Sequence, residues 1–219
     1  MSKEIESTSP RAKRLRHWLL GAATVALVPA LSIAPLQAAG LSEGNGVATG
    51  NTSIAISDPA GTAATASGNG SAAIGTGSTA SGLGSLAFGE TAMATGDNSA
   101  AIGSSTTASG TGGFAAGLGA TASGDGGIAL GIGVTASGTD STALGSGTTM
   151  ATNQNSIAFG TNSQATGANA TALGSAVFAT QDNSFAAGTF ASAAGLSSIA
   201  LGDTAKASGN ESFAGGSSS

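Results

Sequence analysis

The stretch SLAFGETAMATGDNSAAIG, Ser85–Gly103, opens on Ser-Leu-Ala-Phe-Gly and closes on Ser-Ala-Ala-Ile-Gly, fourteen residues later. The alanine at the centre of that figure returns at Ala73, Ala87, Ala101, Ala115, Ala129, Ala143, Ala158, Ala172, Ala186, Ala200 and Ala214. Each step is 14 residues except one of 15, between Ala143 and Ala158, where GSGTTMATN carries one residue more. A glycine stands two places after each of these eleven alanines, from Gly75 to Gly216. A half-figure lies between, as in Ala80-Ser81-Gly82 and Ala94-Thr95-Gly96, and degrades to Ala151-Thr152-Asn153 and Ala179-Thr180-Gln181. A fixed period marks a repeat architecture. It excludes the structureless low-complexity chain that 37 glycines in 219 residues, with 8% charged and 4% aromatic side chains, otherwise suggest.

Within the figure, larger residues alternate with small ones: Leu86 and Phe88, Ile128 and Leu130, Ile157 and Phe159, Ile199 and Leu201 flank the constant alanine. Alternation over about five residues bounded by glycine is a strand signal. A helix is excluded, since each interior glycine costs about 1 kcal/mol relative to alanine. Glycine at segment ends suits corners of positive φ, and Asn98, Asn155 and Asn183 tolerate that region too. The larger positions also trade volume, as in Ala72 with Ile74, Phe114 with Ala116 and Phe185 with Ala187. Residues i and i+2 of a strand share a face. The expectation is therefore that each pair fills one layer of a narrow interior and that the opposite, small-residue face meets a neighbouring chain. The reverse assignment obeys the same period-two rule and stays open.

Two short strands and two corners make each 14-residue unit one coil of a flattened, all-β parallel solenoid. At the strand spacing of about 4.8 Å, the eleven regular coils reach about 50 Å. Each coil touches only its neighbours. So few bulky side chains per coil predict self-association along the solenoid. The expected organisation is a leader over 1–38, a lead-in and irregular first coil over 39–70, regular coils over 71–216 and a short tail over 217–219. The imperfect copy SIAIS, Ser53–Ser57, precedes Ser71 by 18 residues and carries a longer loop around Pro59.

Five of the six basic residues, Lys3, Arg11, Lys13, Arg14 and Arg16, precede the apolar run WLLGAATVALVPALSIA and the small-residue exit PLQAAG. That is the order of a secretory signal peptide, with cleavage expected after Ala38. His17 and Trp18, the only ones of their kinds, leave with it. What remains has Lys206 against nine acids (Glu43, Asp58, Glu90, Asp97, Asp125, Asp140, Asp182, Asp203 and Glu211), a formal charge of −8. One lysine cannot neutralise a phosphate backbone, so nucleic acid is not an expected partner. The absence of cysteine fits an exported chain held without disulfides.

No catalytic, cofactor-binding or metal-ligating residues are expected. Serine nucleophiles need a base, and the exported chain has no histidine. The acids stand about one per coil at turns, and no Gly-Gly-x-Gly-x-Asp series for calcium is present. Thr79, Thr107, Thr121 and Thr135 align at one position of the repeat, a column of hydroxyls fit for an ice or crystal surface, but Met93, Met150, Gln164, Phe178 and Lys206 interrupt it.

The motifs DNSAAIG at 97–103, NQNSIAFG at 153–160 and LSSIALG at 196–202, set in phase over about 46–216, resemble the head repeats of YadA-like trimeric autotransporter adhesins. The resemblance implies a left-handed β-roll, a homotrimer, and attachment to host matrix or cell-surface proteins. It also implies a place at the surface or outer membrane of a Gram-negative bacterium. Members of that family carry a coiled-coil stalk and a membrane-anchoring barrel after the head. This sequence stops at SFAGGSSS, so the resemblance leaves open a fragment or a secreted head.

Overall fold

The computed structural model describes residues 40–219; the leader expected over 1–38, and residue 39, lie outside the described residues. The described chain is all strand and turn, wound as a parallel β-solenoid of about 12 turns. One sheet holds 13 strands and the other 12, and in both the neighbours are successive coils. A strand of three residues, such as Leu86–Phe88, lies in the first sheet. A corner follows, then a two-residue strand such as Met93–Ala94 in the second. Register holds throughout: Ala87 pairs with Ala73 on one side and Ala101 on the other. First-sheet strands from Ile128–Ile132 to Phe185–Thr189 extend to five residues.

The structure reverses the expected assignment of the two strand faces. The constant alanines from Ala73 to Ala200 point inward and are fully buried, and so are the alanines of the half-figure, from Ala66 to Ala193; Ala214, in the end coil, is partly buried. These two facing columns form the core together with a third, just before the second-sheet strands, that includes Ala64, Ala92, Ala120, Val134, Val177 and Ala205. Val134 and Val177 are the largest side chains wholly enclosed; no Leu, Ile or Phe joins them. Leu86 and Phe88, on either side of Ala87, point out, and Phe88 is 50% exposed. The reason is steric. Tight corners joining two short strands hold the sheets so close that each coil encloses only a few small side chains, as with Ser85, Ala87, Ala92 and Ala94. Period-two alternation then sends both neighbours of the alanine outward.

The interior is polar as well as small. Serines that open the figure are buried, and several close the preceding corner: Ser99 Oγ donates to the Gly96 carbonyl at 2.7 Å and Ser198 Oγ to that of Gly195 at 2.7 Å. The equivalent hydroxyls of Ser71, Ser85 and Ser141 have no partner.

The corners take positive φ where the sequence expects it: 56° at Asn98, 52° at Asn155 and 57° at Asn183. The same region is also forced on Thr91, Phe190 and Glu211, at 53°, 55° and 56°. The glycine after each alanine meets a second constraint. Gly103 has φ 129°, and a Cβ there would stand 2.3 Å from the Gly117 carbonyl oxygen of the next coil. Backbone passes over backbone at this corner with no room for a side chain.

Two irregular coils show how the solenoid absorbs extra chain. The residue gained between Ala143 and Ala158 bulges at one corner, where the Thr148 amide donates to Asn162 Oδ1 at 3.0 Å. Pairing of Ala143 with Ala158 and of Thr135 with Met150 is kept. The 18-residue coil from Ser53 turns at Asp58–Gly61. Asp58 accepts from the Ala60 amide through its carboxylate at 2.9 Å, and from the Gly61 amide through its carbonyl at 3.0 Å. This is not the first coil. Leu41–Glu43 and Val47–Ala48 already pair with Ile54–Ile56 and Thr65–Ala66, so the lead-in is itself a coil, with Ser42 in the place of the constant alanine. At the other end the Lys206 amide donates to the Ser219 carbonyl at 2.7 Å, which continues the ladder through the expected tail.

Candidate interaction surface

The acids have structural work at the corners. Asp97 Oδ1 accepts the Leu83 amide at 2.9 Å, Asp125 Oδ1 that of Thr111 at 2.8 Å, and Asp182 Oδ1 that of Ala168 at 2.8 Å. Each carboxylate satisfies an amide of the coil before it that has no strand partner. Asn69 and Asn210 do the same for Asn51 and Leu196. Beside them Asn155, Asn169 and Asn183 form a short amide ladder, with Nδ2 to Oδ1 distances of 3.1 Å. Among the described residues no three of His, Cys, Asp and Glu gather as metal ligands. What the geometry offers is surface.

That surface has two unlike halves. On the first sheet, the outward pairs run from Ile54/Ile56 through Ala72/Ile74, Leu86/Phe88, Ala100/Ile102 and Phe114/Ala116. They continue through Ile128/Leu130, Thr142/Leu144, Ile157/Phe159, Thr171/Leu173 and Phe185/Ala187 to Ile199/Leu201. No charge interrupts this stripe over eleven coils. The second run of five pairs repeats the first in size: two large, one large, two large, one large, then Phe with Ala. The volume trade legible in the sequence is real, but it lies on the outside. Apart from Leu41 and Phe213 in the end coils, the exposed large residues of this sheet (Ile54, Phe88, Ile128, Ile132, Ile157, Phe159, Ile199, Leu201) all belong to coils whose outward pair has two large members.

On the second sheet the outward positions are hydroxylated. Thr107, Thr121 and Thr135 stand in register. Thr65 and Thr79 form a shorter run, and Ser109, Ser123 and Ser137 lie two residues beyond the longer one. Met93, Met150, Gln164, Phe178 and Lys206 occupy the same column and divide it, as the sequence indicates. Phe190 adds an exposed ring at a neighbouring corner.

A solenoid with a closed alanine-lined core, one mostly apolar exterior and one partly hydroxylated exterior belongs to the class of repeat proteins in which stacked units bury one continuous interior. The family model for the YadA head domain repeat matches residues 80–106, 108–133, 135–149, 151–176 and 193–219, more than half of the chain. The chain belongs to the YadA head repeat family. No curated protein matches it.

Sequence reasoning missed which face is exterior, although the signal was present. The inward position is alanine in all eleven regular coils, whereas its neighbours range from glycine to phenylalanine. A tight core tolerates one size; a face open to solvent or to a partner tolerates many.

Proposed function

We propose that this chain is the head of a bacterial surface adhesin, assembled as a homotrimer through the outer face of the first sheet and exported by the leader at 1–38. The observation that carries the reading is the stripe from Ile54 to Leu201, uncharged, apolar but for Thr142 and Thr171, and partly exposed along nearly the whole solenoid. An exposed apolar patch of that extent is a liability for a soluble single chain and marks an association surface. Family membership supports three copies and an adhesive rather than enzymatic role.

In this arrangement the second sheet and the corners face outward and present the same elements coil after coil. Many weak contacts to a host matrix or cell surface then add by avidity, with no deep pocket. The acidic exterior disfavours polyanions, nucleic acid among them. The reading leaves no part for a cofactor. The test is sedimentation of the purified chain, followed by binding of chain-coated beads to immobilised matrix proteins and cultured cells. A single-chain species that leaves the beads inert overturns the proposal.

A second reading, binding of ice or a crystal face, rests on the in-register hydroxyls of Thr107, Thr121 and Thr135. The unbroken array is only three coils long, which places this reading behind the first. Thermal hysteresis in a solution of the purified chain would reverse that order.

A further inference from the structure

We propose that Met93 and Met150 are oxidation sites through which a peroxide converts the outer face of the second sheet from a divided hydroxyl array into a continuous polar strip. The inference stands on that sheet alone and does not need the association proposed above. These are the only methionines among the described residues, and both fall in one column of the repeat. Met93 separates Thr65 and Thr79 from Thr107, Thr121 and Thr135. Met150 separates those three from Gln164. Hydroxyls border the column as well, since Thr95 and Thr152 stand two residues beyond the methionines on the same strand face.

Position makes both thioethers available. Met93 is 43% exposed and Met150 is partly buried. Neither belongs to the core; the inward residues beside them, Ala94 and Ala151, are the buried ones. The sulfur donates a lone pair to one oxygen of the peroxide and the O–O bond breaks. With hydrogen peroxide, the proton of the transferred hydroxyl passes to the departing one, which leaves as water. An S–O bond has formed, and sulfur is oxidised by two electrons. A flexible apolar side chain becomes a polar one. In a core that change disrupts packing; here it falls on the exterior. Gln164 shows that a long polar side chain fits this column, for it keeps register with Met150 on one side and Phe178 on the other. A sulfoxide at position 93 lies between Thr79 and Thr107 at the strand spacing of about 4.8 Å, where their hydroxyls donate to it directly or through one water. With both methionines oxidised, every outward residue of the column from Thr65 to Gln164 is polar.

The test exposes the purified full chain to hydrogen peroxide and follows oxygen uptake at each methionine by peptide mass spectrometry. Met93 should oxidise within about tenfold of the rate of methionine in an unstructured peptide, and Met150 more slowly. Strand content by circular dichroism should not change. Chain-coated beads are then offered a hydroxyl-terminated and a methyl-terminated monolayer. The ratio of beads held by the first to beads held by the second should rise about threefold or more on oxidation. Met93→Gln with Met150→Gln should reach the raised ratio without peroxide. Met93→Leu with Met150→Leu should keep the original ratio with or without it. Slower uptake at Met93 than that range, or loss of strands on oxidation, overturns the assignment of the sites. Ready uptake with an unchanged ratio, an equal rise in the leucine variant, or a glutamine variant that stays at the original ratio overturns the polar strip.

Discussion

The two sheets share one interior and differ in almost everything outside it. Each contributes a column of buried alanines, and each is an unbroken parallel ladder. Yet the first carries mostly Ile, Leu, Phe and Ala on its outer face, with Thr142 and Thr171 among them, and the second a Thr column divided by Met93, Met150, Gln164, Phe178 and Lys206. A strand only three residues long spends one on the core and two on the exterior, so the exterior holds most of the information. Side-chain identity inside is fixed by space; outside it is free to vary, and the proposed assembly assigns one face to sister chains and the other to the surroundings.

The strongest way to break the comparison is to attack what the sheets have in common. Ala129→Leu in the first sheet and Ala122→Leu in the second should each cost about 3 kcal/mol or more by overpacking an interior that holds nothing larger than valine. Thermal unfolding followed by circular dichroism should show equal losses, and a clear inequality would mean that one sheet dominates the core. The next experiment separates the exteriors. Phe88→Ser with Phe159→Ser should dissociate the assembly while strand content persists, and Phe178→Ser on the second sheet should leave the sedimentation coefficient unchanged. If both variants dissociate alike, the apolar stripe is not the subunit contact.

The corners sharpen the picture at lower energies. Gly103→Ala, where a Cβ would meet a carbonyl at 2.3 Å and φ is 129°, should cost roughly 3 kcal/mol. Gly112→Ala, at φ 66° with no atom within 4 Å, should cost about 1 kcal/mol. Asp97→Ala should lower stability by about 1 kcal/mol, because the Leu83 amide loses its acceptor, and Asp97→Asn should recover it. The smallest expected contrast is between two serines of one column. Ser99→Ala removes a hydrogen bond worth about 1 kcal/mol, whereas Ser85→Ala removes an unpartnered hydroxyl and should be neutral or slightly stabilising. Denaturant midpoints measured side by side would resolve the pair.

Much of the ladder was legible because backbone geometry writes itself into glycine, asparagine and alanine at fixed steps. The direction of the strands was harder. Alternation fixes two faces without naming them, and ordinary globular experience places Ile and Phe inside. The first coil escaped notice because Ser42 and Glu43 stand where Ala and a large apolar residue normally do, and the chain from Gly44 to Gly46 shortens the corner. The acids were recognised as turn residues, but their bonds to the preceding coil depend on the vertical alignment of corners, which a linear pattern does not display. The place of the volume trade was hidden for a similar reason: the pairing of Ala72 with Ile74 is visible in one coil, but only the buried alanine between them shows that both point outward.

The extra residue near Thr148, taken up at a corner while the strands above and below stay aligned, has a bearing on how such molecules change over generations. A gene that copies or deletes a single unit lengthens or shortens the rod without disturbing what lies beyond, and a peptide spliced in at that bend, or at the turn around Pro59, would be displayed on a scaffold that need not be rebuilt to carry it.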